Sequence, residues 1–154
     1  MVIKTQRCIR MKLLYLLMFL VTFSILQGCI GPGISDFEIK LSGGYSVLRT
    51  EPNRVIISLQ EADDIFGSPV VGTKVVQVGW NEDYIVAKQV GLKLDPNATN
   101  EHMMILDDSR TNFYILDLNN KKKYGPLHET SYAEQRKKLK VPNDVILRNL
   151  DELR

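Results

Sequence analysis

The sequence predicts an α+β domain: an antiparallel meander of about six to eight strands with two short C-terminal helices, placed after a cleaved N-terminal signal. Three observations carry that expectation. Apolar and polar residues alternate in short runs from Phe37 onward, which is the period of half-buried strands. Compact turn groups such as Ser42-Gly43-Gly44, Glu51-Pro52-Asn53 and Asn81-Glu82-Asp83 separate those runs, so neighbouring strands run antiparallel. Past Gly125-Pro126 the apolar spacing changes to that of helices.

The leader comes first. Lys4, Arg7, Arg10 and Lys12 give a cationic start without an acidic residue, and residues 13–26 are a fourteen-residue apolar stretch. Gly28 puts a small residue just ahead of Cys29, completing an export signal over residues 1–28. Met11-Lys12 is a second feasible start. An uncleaved spanning helix needs ~20 apolar residues, more than this stretch supplies. Leu26-Gln27-Gly28-Cys29 resembles the lipobox of bacterial lipoproteins, in which cleavage falls between Gly28 and Cys29 and the cysteine takes the lipid. The diacylglyceryl group that this resemblance implies has two acyl chains at ~0.8 kcal/mol per buried methylene, enough for lasting attachment to a membrane.

Gly31-Pro32-Gly33 suits neither helix nor strand, so residues 29–35 read as a flexible tether and 36–154 as a single globular domain. The whole chain has 20 Lys+Arg against 18 Asp+Glu; without the four leader cations, residues 29–154 have 16 against 18, a formal −2. The net basic charge therefore belongs to the leader, and no nucleic-acid partner follows from it. Cys8 leaves with the signal and Cys29 takes lipid, so the mature chain has no disulfide and no thiolate site.

Within the domain, Phe37, Ile39 and Leu41 alternate with Glu38 and Lys40 as a first strand. Residues 45–50 make a second, and residues 54–60 a third with Val55, Ile57 and Leu59 on one face. Residues 61–72 contain Asp63-Asp64, Gly67, Pro69 and Gly72 and read as a loop. The clearest hairpin follows, with Val76, Val78 and Trp80 on one face, the Asn81-Glu82-Asp83 turn, and residues 84–88 returning. Trp80, the one tryptophan, marks this hairpin as the centre of the core. Residues 92–101 read as a second long loop, and residues 107–112 as a turn leading into a strand over 113–118. Lys121-Lys122-Lys123 then makes a polar edge strand.

Ser131-Tyr132-Ala133-Glu134 has capping-box spacing, with Ser131 as N-cap of a helix reaching about Lys140 and stopped by Pro142. A second helix starts near Asn143 or Asp144, burying Ile146, Leu150 and Leu153.

Candidate chemistry is sparse. His102 lies near Asp107 and Asp108, a conceivable polar site, but no second histidine stands at ligand spacing, so no metal site is assigned. Asp95-Pro96-Asn97-Ala98-Thr99 opens like a calcium loop, yet Asn100 and Leu106 occupy the positions that need glycine and glutamate. The serines lack a nucleophile motif, and adjacent carboxylates on a strand point to opposite faces. No catalytic residue and no cofactor is therefore assigned. Lys121, Lys122, Lys123, Arg136, Lys137, Lys138 and Lys140 form a candidate basic patch for anionic headgroups or wall polymers, at ~1 kcal/mol per cation near such a surface.

Together with the lipobox, Trp80-Asn81-Glu82-Asp83-Tyr84-Ile85-Val86-Ala87-Lys88, residues 113–127 with their Tyr124-Gly125-Pro126-Leu127 turn, and the basic helix ending before Val141-Pro142 resemble a small lipoprotein family of unknown function from Bacillus-like and Clostridium-like bacteria. The resemblance implies a lipid-anchored protein on the extracytoplasmic face of a Gram-positive-like cell membrane and assigns no catalytic residue. On this reading the chain is a non-enzymatic interaction or accessory module, with an envelope protein or anionic wall polymer as partner. The alternative is an envelope enzyme acting on cell-wall material, or an inhibitor of a lytic enzyme.

Overall fold

The computed structural model describes residues 36–99 and 103–154. The leader, Gly28, Cys29, the 29–35 tether and His102 lie outside the described residues. Strand β1 (Phe37–Lys40), β2 (Tyr45–Glu51) and β3 (Arg54–Ala62) follow in chain order, as alternation predicts. The β1–β2 connection is a tight 3-10 turn, Ser42–Gly44, in which Gly43 takes φ +67° and Leu41 donates its N–H to the Tyr45 carbonyl at 2.8 Å. A short β4 (Ile65–Phe66) adds to the edge of β3, giving a first sheet of order β1-β2-β3-β4.

Strand β5 (Val75–Trp80), β6 (Tyr84–Leu94), β7 (Met104–Asp117), β8 (Lys122–Leu127) and β9 (Arg148–Asn149) build a second antiparallel sheet of order β8-β7-β6-β5-β9. Ile57, Val47 and Val55 of the first sheet pack against Val75, Val78, Ile85, Ala87 and Leu116 of the second, so the two sheets share one core. The opposite face of the second sheet, with Val86, Phe113 and Ile115, is covered by the one α-helix among the described residues, α1 (Glu129–Leu139), and by Val141 and Val145. Tyr132 of α1 stacks on Phe113 with ring centroids 4.8 Å apart.

This architecture corrects the predicted α+β meander in three places. The strands divide into two packed sheets, because the loop after β4 lays Val71 against Ile57 and starts a new layer. The second C-terminal helix does not form. Val145 packs under α1 while Leu150 and Leu153 pack between the sheets, so this segment must pass round the edge of β5 from one face to the other. A straight helix cannot do that. The chain instead makes β9, pairing Asn149 with Gln77 and Arg148 with Val78, and a 3-10 turn, Leu150–Glu152. Ile146, predicted to be buried, is 56% exposed. The close approach needs Gly79, where a Cβ would collide with the Ile146 carbonyl.

The third correction concerns β6 and β7. Both run far beyond the predicted hairpin, and the 107–112 turn is a bulge inside β7: Thr111 pairs with Val90 and Asp107 with Gly91, leaving residues 108–110 looped out. In β5 a register shift between Val75 and Gln77 makes Val75, not Val76, the fully buried residue. Helix α1 starts three residues early. The Tyr132 N–H is already bonded to the His128 carbonyl at 2.8 Å, so Ser131 is helical and His128 is the N-cap, with no side-chain cap bond.

Candidate functional site

The most distinctive site lies at one end of the sandwich, where the sheets part. Phe37 pairs with Arg49 and Arg49 with Val55, so these three stand abreast across β1, β2 and β3 on the face turned to the second sheet. Lys74, Val75 and Val76 face them, Leu106 of β7 overhangs, and Asn149, Leu150 and Asp151 close the side. The cleft is open to solvent on one side and has a volume of about 290 Å³. Its wall is mostly apolar, with the charged groups gathered at one side.

Alternation dictates the position of Arg49. Tyr45, Val47 and Arg49 share a face, and Val47 is fully buried in the core, so β2 sends a guanidinium inward at its end. Its Nε is buried with no hydrogen-bond partner. A buried, unpaired charged donor is rare, and it marks a place where a ligand, ion or water completes the arrangement. The Phe37 ring is flanked by two guanidinium groups, Arg49 at 5.9 Å and Arg154 at 4.7 Å from its centroid. Lys74 donates from Nζ to the Pro52 carbonyl at 2.9 Å, tying β5 to the β2–β3 turn. Burial holds the Lys74 ammonium below its ordinary 10.5, the Arg49 charge pushes it the same way, and Asp151 opposes both. Asp151 is the one carboxylate in the lining; it lies 3.5 Å from Arg154 and is 88% exposed. Two cations, Arg49 and Lys74, thus share the lining with one solvated carboxylate that is itself paired with Arg154, an arrangement around a mostly apolar hollow that favours an anion.

The described residues singled out from sequence lie elsewhere. Asp107 and Asp108 sit at the β7 bulge. The Asp107 carboxylate accepts from Ser109 Oγ and Arg110 Nε, each at 2.6 Å, and those bonds hold it below the usual carboxylate range. It fastens the β7 bulge. Asp108 is exposed. Of the seven basic-patch residues, Arg136 is spent inside the fold, donating to the carbonyls of Pro142 at 3.0 Å and Val145 at 2.9 Å. Lys123 turns to the first sheet and donates to the Val70 carbonyl at 3.1 Å. Lys121, Lys122, Lys137, Lys138 and Lys140 remain exposed. The last α1 carbonyls and the β8 start come near each other, because Tyr84 donates to the Leu139 carbonyl at 2.9 Å and lies across from Asp117, which pairs with Lys122. That is the end of the second sheet away from the cleft.

Sequence reasoning missed the cleft because its members are scattered from Phe37 to Asp151. One signal was present: an arginine two residues after an inward valine on a strand.

The model of a family described as Protein of unknown function (DUF3997) matches residues 42–151, and the chain belongs to that family. The match includes Arg49, Lys74 and the β9 closure of the cleft, and it begins downstream of Cys29. No curated protein and no solved structure matches.

Proposed function

We propose that this DUF3997 protein is a binding module of a bacterial cell envelope, held at the extracytoplasmic face of the cytoplasmic membrane by a lipid on Cys29, and that its cleft receives an anionic ligand. The observation that carries the cleft reading is the buried, unpartnered Arg49 Nε beside Lys74 in a mostly apolar hollow. Guanidinium, ammonium and amide groups around an aliphatic wall are recognition chemistry: they neutralise and orient an anion while the wall takes its apolar body.

The leader and the lipobox-like Leu26-Gln27-Gly28-Cys29 support the anchor. Phe37 lies eight positions after Cys29, a reach of at most roughly 26–29 Å. Because Phe37 lines the cleft, the site would work close to the lipid surface. The exposed lysines at the opposite end favour a second contact, with an anionic wall polymer lying farther from the membrane.

Two experiments separate these parts. Growth with labelled palmitate should mark the wild-type protein and leave Cys29→Ser unmarked; equal absence of label in both removes the anchor. Hexanoate, short enough to lie wholly within the cleft, should bind the full chain in phosphatidylcholine nanodiscs, and uncharged hexanol should not. Equal binding of the two removes the anion reading.

A further inference from the structure

The cleft does not end at its own rim. Leu106 lines it and is also 42% exposed, because it belongs to the part of the β6–β7 hairpin beyond the sandwich. There Leu92 pairs with Leu106 and Leu94 with Met104. Directly opposed residues in antiparallel strands share a face, as do residues two apart on one strand. The four side chains therefore form one apolar square, which meets the cleft at Leu106 and a second hollow, lined by Ile56, Pro69 and Thr73, at Leu92. Leu94, at its outer corner, is 52% exposed. Lys93, paired with Ile105, belongs to the other face. The hairpin's position is fixed at its base, where Arg110 bonds the Asp107 carboxylate on β7 and the Leu92 carbonyl on β6. A strand pair that presents such a surface beside the two lining cations is built to cover something partly apolar and negatively charged.

We infer that the site binds a single-chain anionic amphiphile. A carboxylate or phosphate head sits between Arg49 and Lys74, the first carbons pack against Val55, Val75 and Leu150, and the tail leaves over Leu106, Met104 and Leu94. This deepens the proposed anion cleft and rests on it. Charge selects the head, because the two lining cations outnumber the one lining carboxylate, which Arg154 already pairs. The cleft holds only a short body, and the square beyond it gives additional methylenes a surface. Each methylene fully covered tightens binding about fourfold, and each half covered about twofold.

The test uses the full chain in phosphatidylcholine nanodiscs with ¹³C-methyl methionine, following the Met104 methyl while hexanoate, octanoate and decanoate are added at known free concentration. The Kd should fall at least fourfold for each two carbons added. Leu94→Ser, at an exposed position, should weaken decanoate more than hexanoate. Comparing decanoate with decyl phosphate assigns the head. If hexanoate binds and lengthening brings no gain, the amphiphile inference is overturned and the anion cleft stands. If none of the acids binds, both fall. Decanol binding as tightly as decanoate and decyl phosphate also overturns the inference, since the cations would then select nothing.

Discussion

Replacing Arg49 with methionine should stabilise the free protein while weakening ligand binding, and the two signs come from the same atom. The stem of methionine follows the arginine path between Phe37 and Val55, so little packing is lost. What disappears is a buried Nε without a partner, a defect worth about 1–3 kcal/mol. Against that gain stands the contact of the guanidinium with the Phe37 ring at 5.9 Å, about 0.5–1 kcal/mol. The balance is a gain of up to about 2.5 kcal/mol, or a rise in Tm of up to roughly 10 °C for a domain of this size. Urea and thermal unfolding of the full chain, followed by Trp80 fluorescence, measure it directly, since Trp80 is the one tryptophan. Stability given up where a ligand is to be bound is a familiar trade. An Arg49→Met protein that melts below wild type would refute the reasoning, because it would mean that the guanidinium is satisfied in the free fold and holds the sheets together.

Three further outcomes follow from other parts of the fold. Gly79→Ala should lower stability by about 1–3 kcal/mol in urea unfolding, because the new Cβ must push Ile146 away from β5; a neutral result would mean that the C-terminal segment does not cross there. Ser131→Ala should stay within about 0.5 kcal/mol of wild type, because Ser131 lies inside α1 and His128 occupies the N-cap; a loss near 1 kcal/mol would restore Ser131 as the cap. Lys74 should titrate below 10.5 in the free protein and move back toward it when an anion binds, read from its side-chain NMR signals. With its folded pKa depressed, the unfolded chain holds the Lys74 proton in a pH window just below 10.5 where the native state has released it. Stability contributed by Lys74 therefore rises with pH through that window.

Much of the β structure was legible because local alternation and turns specify it. Phe37, Ile39, Val47, Val55 and Ile57 announce three strands with their inward faces, and the β5–β6 hairpin follows from its apolar flanks and polar turn. Two kinds of feature were not legible. The C-terminal segment has helical spacing, yet its apolar residues serve two different cores, and the free edge of β5 supplies hydrogen bonds that outweigh local propensity. The extended ends of β6 and β7 were hidden by Pro96 and by Asp107-Asp108, which read as loop signals until the Arg110 to Asp107 bond shows them to be a bulge. The cleft escaped for a related reason: short turns bring Phe37, Arg49 and Val55 into register, but only the packing of two sheets adds Lys74, Leu106 and Leu150.

The central claim is that Arg49 completes its bonding with a ligand anion, and the Kd of hexanoate for wild type and Arg49→Met tests it most directly. Loss of a charge-assisted pair is worth about 1.5–3 kcal/mol, so the account predicts affinity weakened about 10- to 100-fold in a protein that is at least as stable as wild type. Equal affinity in the two proteins would contradict it.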